Sequence, residues 1–263
     1  MSKAAEILKE SRKVVLKIGS NVLACENGKL DREQVKQIAG QALSLMNESK
    51  RVVLVSSGAG VSGAARVGRL DRRDDINYKQ ALCAVGQVEL MMEYKKHFEA
   101  AGMTVGQILL TTENFNDGES RLNIRNTLFT LIDEDVVPVI NENDSVCIQE
   151  FSFGDNDNLA ALTANLWSAD LLIIMSDVDG VFDSSPVNNP DAKLIEEVTD
   201  VDALGEKIVT GGVSIFGKGG MDSKLEAAKT VGAYGIPMLL VNGKRENVLA
   251  EVASGGRCTV FIP

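Results

Sequence analysis

Asparagines and carboxylates crowd two short stretches, Asn141-Glu142-Asn143-Asp144 and Gly154-Asp155-Asn156-Asp157-Asn158. A carboxylate such as Asp144 can hold an ammonium group, and the amides of Asn141 and Asn156 both donate and accept hydrogen bonds. Together they suit a small zwitterion. Taken singly, each stretch is an ordinary polar loop with Asx caps; the pair asks for more than capping. Three lysines stand where an anion is invited. Lys17 interrupts the apolar run Val14 to Ile18 and is followed by Gly19-Ser20-Asn21. Such a lysine either points to water from an edge strand or serves an anion-binding turn. Lys218 and Lys224 flank Gly219-Gly220-Met221-Asp222-Ser223 at the start of a helical pattern. Bare N–H groups and the helix dipole favour an anion there, and a surface loop with solvated lysines is the competing reading.

Composition removes several kinds of chemistry. The chain of 263 residues carries one histidine, His97, in the charged segment Glu93-Tyr94-Lys95-Lys96-His97, which is expected on a solvated helix face. No triad, Cys-His pair or histidine-rich zinc site can be assembled from it, so the chemistry must proceed without imidazole. The net charge of −10 argues against nonspecific nucleic-acid binding, which needs a basic face. Cys25, Cys83, Cys147 and Cys258 lie far apart, as in a reduced cytoplasmic protein. No apolar run reaches the length of a membrane span, and charges from Lys3 to Lys13 interrupt any secretory signal. Three motifs fit in form only. Gly58-Ala59-Gly60-Val61-Ser62-Gly63 matches the dinucleotide fingerprint, but no strand ending in an acid follows at the required distance, and a glycine-rich turn offering N–H groups explains it as well. Gly212 to Lys218 approaches a P-loop, yet Gly219 stands where Ser or Thr should ligate magnesium. Asp177 and Asp179 alternate as in a calcium loop, without its glycine and closing glutamate.

These residues need a scaffold, and the hydrophobic pattern supplies one. Apolar runs at Val14–Ile18, Arg51–Val55, Thr104–Leu110, Val136–Ile140, Leu171–Met175, Met238–Val241 and Cys258–Ile262 read as strands. Helical spacing follows Asp31 and recurs over Tyr78–Ala101, Arg121–Asp133, Leu159–Trp167, Val201–Lys207, Lys224–Val231 and from Glu246. Asn27-Gly28 marks a hairpin turn, and Val146 to Phe151 reads as a hairpin arm. Strand–helix alternation predicts an α/β fold with a mostly parallel sheet, and ligands then gather at the C-terminal ends of its strands. The methionine-bearing helix from Tyr78 suits core or a subunit interface.

With these residues in hand, the chain resembles the amino-acid kinase superfamily, and its glutamate 5-kinase branch in particular. The resemblance rests on Val15-Leu16-Lys17-Ile18-Gly19-Ser20, Ser56-Ser57-Gly58-Ala59, Ala84-Val85-Gly86-Gln87, Val137 to Asp144, Gly154 to Leu159 and Gly219-Gly220-Met221, in that order along nearly the whole chain. It implies a three-layer αβα sandwich in a single domain over 1–263, mainly amino-acid binding in its N-terminal part and nucleotide binding from about residue 170. It also implies ATP-dependent phosphorylation of the L-glutamate side chain to L-glutamyl 5-phosphate, the first step toward proline, with proline as feedback inhibitor and a homo-oligomeric assembly. Carried over by motif, Lys17, Lys224 and Asp157 are catalytic, the lysines touching phosphate and Asp157 organising them. Ser57, Gly58, Asn141, Asp144 and Asn156 hold glutamate. The nucleotide side is Lys17, Gly19, Ser20, Ser176, Asp177, Lys218, Gly219, Gly220, Met221, Asp222, Ser223 and Lys224, with Mg2+ held mainly by the ATP phosphates and no protein metal ligand. Many members add a C-terminal PUA domain, for which a chain ending at Pro263 leaves no room. Ser176 stands for the usual threonine of the nucleotide loop, and Lys218 likewise stands where threonine is commoner. Relatives acting on N-acetylglutamate or aspartate, and a non-catalytic amino-acid sensor, are the alternatives. Asp144 disfavours an acylated amine, and the phosphoryl-stabilising lysines disfavour a sensor.

Overall fold

Val14, Val15, Leu16 and Ile18 are fully buried in the computed structural model, and the strand that carries them, β1 (Lys13–Ile18), becomes the middle of the sheet. The structure describes residues 1–67, 75–146, 155–184, 186, 189, 191–209 and 220–263. The chain runs α1 (Lys3–Glu10), β1, α2 (Arg32–Asn47), β2 (Arg51–Ser56), α3 (Ala59–Val67), α4 (Ile76–Glu99), β3 (Thr104–Leu110), α5 (Gly118–Asp133) and β4 (Val136–Glu142). It continues through α6 (Asp155–Trp167), β5 (Leu171–Ser176), β6 (Val181–Phe182), β7 (Leu194–Ile195), β8 (Glu197–Val198), α7 (Val201–Val209), α8 (Gly220–Gly232), β9 (Met238–Asn242), α9 (Val248–Ala253) and β10 (Thr259–Phe261). Among the described residues the main sheet is ordered β3-β4-β2-β1-β5-β9-β10-β8, and only the β9–β10 pairing in it is antiparallel.

Side-chain alternation along β1 splits the core into two layers. Val14, Leu16 and Ile18 pack with α1, α2, α4 and α9 on one face. Val15 packs with α5, α6, α7 and α8 on the other, where Val53, Val55, Leu172 and Ile174 join it. Helices on both faces of a parallel sheet are what near-continuous apolar strands require. Period two then assigns Lys17 to the face of Val15, the face that α6 and α8 cover. Its neighbours in register are Val55 of β2 and Ile174 of β5.

Several expectations are corrected here. Lys17 does not lie on an edge strand, since β2 and β5 flank β1, and the lysine is buried. The Gly58–Gly63 stretch is not only a turn: Gly58 turns at φ +106, and α3 begins at the next residue. Ser62 returns both its backbone N–H and its hydroxyl to the Gly58 carbonyl, which closes that first turn. The glycines serve a crossing of α3 on α4. A Cβ added to Gly86 would lie 1.8 Å from the Ala59 carbonyl oxygen, and one added to Gly63 would lie 1.9 Å from that of Leu82. His97 is half-buried rather than solvated, beside Glu93 on α4, and burial lowers its pKa. Helix α1, which composition had not suggested, forms because Ser2 caps it and Ala4, Ala5 and Leu8 share a buried face. The Asn27-Gly28 turn forms as read, with Gly28 at φ +74 and Ala24 bridging to Leu30. The hairpin arm read over Val146–Phe151 lies outside the described residues except for Val146.

Candidate active site

Parallel strands end together, so β1, β2, β4 and β5 deliver their following turns to one edge of the sheet. Gly19 continues the ladder beyond β1 by donating to the Met175 carbonyl at 3.0 Å, and Ser57 does the same from β2 to Ile18 at 3.0 Å. On the face of Val15, α6 and α8 point their N-terminal ends at this edge. A charged cluster forms where they meet Lys17.

Asp157, in the first turn of α6, is 1% exposed and sits between two lysines. One carboxylate oxygen pairs with the Lys17 ammonium. The other lies 3.2 Å from Lys224 Nζ and accepts from the Ser223 hydroxyl at 2.7 Å. Lys224 also donates to the Gly220 carbonyl at 2.7 Å, so its long side chain is folded back over the start of α8. Burial of an ion is tolerated only where partners replace water, and here three groups do so for one carboxylate. Burial alone would raise the Asp157 pKa; Lys17 and Lys224 outweigh it and hold the carboxyl below its usual range. Burial pushes the Lys17 ammonium the other way, below the ordinary lysine value, with Lys224 adding to that push and Asp157 opposing it. Within this cluster two cations face one anion, with Asp177 acting on Lys17 from the adjoining turn, so the lysines keep capacity for an incoming phosphate.

A second, uncharged cluster lies beside it. Asn156 Nδ2 donates to Ser57 Oγ at 2.7 Å and to Asn141 Oδ1 at 3.0 Å. Asn141 Oδ1 also accepts from the Glu142 backbone N–H, and Asn141 Nδ2 donates to Gln87 Oε1 at 2.8 Å. Strand ends β2 and β4 and helices α4 and α6 are thereby tied through four polar side chains. Asp144 lies half-buried in the turn that follows β4. A side chain at Gly58 would be strained by the φ of +106 and would push on Leu23, whose Cδ1 would stand 2.9 Å from an added Cβ.

The turns after β1 and β5 are joined to each other. Asn21 Nδ2 donates to Asp177 at 3.0 Å, and the Ser176 hydroxyl donates to Asp177 at 3.2 Å. Ser20 and Asp177 are exposed there. In α8, Gly220 opens the helix and Asp222 faces solvent, but the Met221 side chain is buried in the core, so only its backbone can meet a ligand. Lys218 and Gly219, expected on the nucleotide side, fall outside the described residues, as does Gly154. The structure therefore gathers Lys17, Asp157, Ser223 and Lys224 into one cluster and Ser57, Asn141 and Asn156 into another. The residue missed by sequence reasoning is Gln87, buried in α4. It stood in the Ala84–Gln87 motif, but nothing in its spacing tied it to Asn141.

Residues 12–242 match the model of the amino acid kinase family. The chain is 51% identical over 257 residues to the glutamate 5-kinase of Alkaliphilus metalliredigens, covering 97% of each. The chain belongs to the glutamate 5-kinases of that family. A further relative, the glutamate 5-kinase of Pelobacter propionicus, is 41% identical over 259 residues, which is 98% of this kinase and 69% of that protein. Solved structures agree in fold. The UMP kinase of Ureaplasma parvum superposes with a TM-score of 0.66 at 16% identity over 97% of this chain and 100% of its own. The carbamate kinase of Giardia lamblia superposes with 0.68 at 17% identity, over 97% and 99%. At such identities the likeness concerns the sandwich and its sheet alone, which is the α/β architecture expected from the sequence. No helix among the described residues is long and apolar enough to cross a membrane.

Proposed function

We propose that the two clusters are the phosphoryl-transfer and amino-acid halves of one site. There this kinase moves the γ-phosphoryl group of ATP to the side-chain carboxylate of L-glutamate, giving L-glutamyl 5-phosphate, the first step of proline biosynthesis. The observation that carries the assignment is Asp157 bridging Lys17 and Lys224 at the C-terminal edge of the sheet.

The nucleophile is a carboxylate oxygen with a reference pKa of about 4.3, already ionised at neutral pH, so no general base is required. One oxygen of that carboxylate forms a bond to the γ-phosphorus while the bond to the β,γ-bridging oxygen breaks and ADP departs. Positioning and charge stabilisation are what remain for the protein to supply. Lys17 on β1 and Lys224 on α8 face the migrating group from two elements, and Asp157 keeps both ammonium groups aimed while they wait for substrate. The N–H groups after Gly19 and at the start of α8 add dipoles aimed at phosphate. Ser176 and Asp177 line the nucleotide side beyond β5, and Ser20, Gly220 and the backbone of Met221, Asp222 and Ser223 complete it. Both Asp157 oxygens are engaged by lysines and Ser223. The donor set therefore suits a magnesium ion carried in on the ATP phosphates, where it supplies charge neutralisation.

On the amino-acid side, Asp144 and Asn156 take the ammonium end of glutamate and Ser57, Gly58 and Asn141 the rest. Proline presents the same ammonium and carboxylate and is an inhibitor competing for these contacts. One domain spans both halves, with mainly amino-acid binding before about residue 170 and mainly nucleotide binding after it. A homo-oligomer in the cytoplasm is the expected working form, and exposed Val85, Val88 and Met92 on α4 support self-association.

Trapping the acyl phosphate with hydroxylamine tests the reading directly. Signal is expected with L-glutamate and ATP. Signal only with N-acetylglutamate or aspartate moves the substrate, and glutamate binding without turnover makes the chain a sensor.

A further inference from the structure

Amide groups leave ambiguous which end donates, and the pattern around Asn141 settles it. Its Oδ1 already accepts from the Glu142 N–H and from Asn156 Nδ2, so its Nδ2 must find an acceptor on the opposite side. Gln87 Oε1 is that acceptor, at 2.8 Å. Asn156 in turn spends its Nδ2 on Asn141 and Ser57, and its Oδ1 is left buried with no partner among the described residues. A buried acceptor without a donor is costly unless a ligand supplies one. An ammonium group does so.

We infer that Gln87 is a positioning residue for the amino-acid substrate: by accepting from Asn141 it fixes the amide order along Asn141 and Asn156, so that Asn156 presents an oxygen to the substrate ammonium. The inference rests on the glutamate reading of the site and adds to it a residue on an otherwise remote helix. Gln87 is 8% exposed and lies next to Gly86, whose missing side chain lets α4 approach Ala59 closely enough for the contact. With no acceptor at position 87, Asn141 keeps an unpaired buried Nδ2. Rotating its amide would satisfy that group at the expense of two acceptor contacts. Either way the order that leaves Asn156 Oδ1 free to accept from an ammonium is weakened, while Lys17, Asp157 and Lys224 are untouched.

The test pairs Gln87→Met, which keeps length and removes the acceptor, with Gln87→Glu, which keeps an acceptor oxygen. Gln87→Met is expected to raise KM for L-glutamate about tenfold, the scale of one buried hydrogen bond, with kcat and KM for ATP within about twofold. Gln87→Glu is expected to stay within about threefold of the native KM. Thermal shifts read binding apart from turnover: Gln87→Met should lose most of the stabilisation by glutamate and keep that by a non-hydrolysable ATP analogue. An unchanged glutamate KM, equal losses for both substrates, or Gln87→Glu as impaired as Gln87→Met overturns the inference. Native protein that gives no acyl phosphate from glutamate overturns the functional reading instead.

Discussion

Replacing Asp157 with asparagine removes one negative charge and leaves two buried ammonium groups facing each other. Lys17 is 6% exposed and Lys224 8%, so neither can turn to water without displacing packed neighbours. At the 3.2 Å separation of Lys224 from Asp157, the Coulomb term is about 5 kcal/mol at an effective dielectric constant of about 20. The second pair, to Lys17, is lost at the same time. The asparagine recovers some hydrogen bonding, including an oxygen for Ser223. The net expectation is the roughly 3–5 kcal/mol typical of breaking a buried pair from one side. For a chain of this size that is a fall in Tm of about 10 °C, read by calorimetry without ligand. The same reasoning predicts that ATP stabilises Asp157→Asn by more than it stabilises the native protein, because its phosphates replace the missing anion. Turnover should still fall by about a hundredfold or more, since the lysines lose their fixed aim. Stability within about 1 kcal/mol of native, with equal shifts on adding ATP, would refute the electrostatic argument.

Further outcomes follow from the same geometry. Lys224→Ala should lower kcat by about a hundredfold or more while leaving KM for glutamate within about threefold, as for loss of one transition-state donor; equal loss in both would show that Lys224 serves binding instead. Because the folded Asp157 pKa lies below its unfolded value of about 3.9, its stabilising contribution is present above that value. It is lost as pH falls through the lower folded value, so acid unfolding of the native protein should be steeper below about pH 4 than that of Asp157→Asn. The lowered Lys17 pKa places the alkaline fall of kcat/KM for ATP below the ordinary lysine value of 10.5, and a profile flat up to that value would contradict it. Gly86→Ala should cost several kcal/mol, because its Cβ would lie 1.8 Å from a backbone oxygen that no side-chain rotation can move; native-like unfolding would mean that α3 and α4 separate easily. Burial pushes the Cys258 thiol up to about 11, so iodoacetamide at pH 8 should leave it unmodified in folded protein and label it after denaturation.

How far the sequence carried these conclusions varies with the physics involved. Strands β1, β2, β4, β5 and β9 were legible because their apolar runs are bounded by turn residues, the cap at Asp31 announced α2, and the apolar residues from Leu159 to Trp167 announced α6. Lys17 was legible as unusual, yet a sequence alone does not say whether a strand is central or at an edge. Only the order β2-β1-β5 removes the solvent reading. Helix α3 was hidden because its small residues read locally as a turn, while their purpose is a long-range fit against α4. The link between Asp157 and Lys224 spans 67 positions and was reachable only through the family resemblance. Gln87 shows the remaining gap: one of several polar residues on α4, it gains meaning from an asparagine 54 positions away.

The most direct test of the central claim is a crystal structure with L-glutamate, ADP, magnesium and a planar phosphoryl mimic such as aluminium fluoride. The account predicts the mimic between the Nζ atoms of Lys17 and Lys224, in line with the glutamate side-chain carboxylate, with Asp157 still joining the two lysines and the glutamate ammonium at Asn156 and Asp144. Ligands seated elsewhere, for instance in the groove beside Arg121 and Arg125 on α5, or lysines turned away from the mimic, would contradict it.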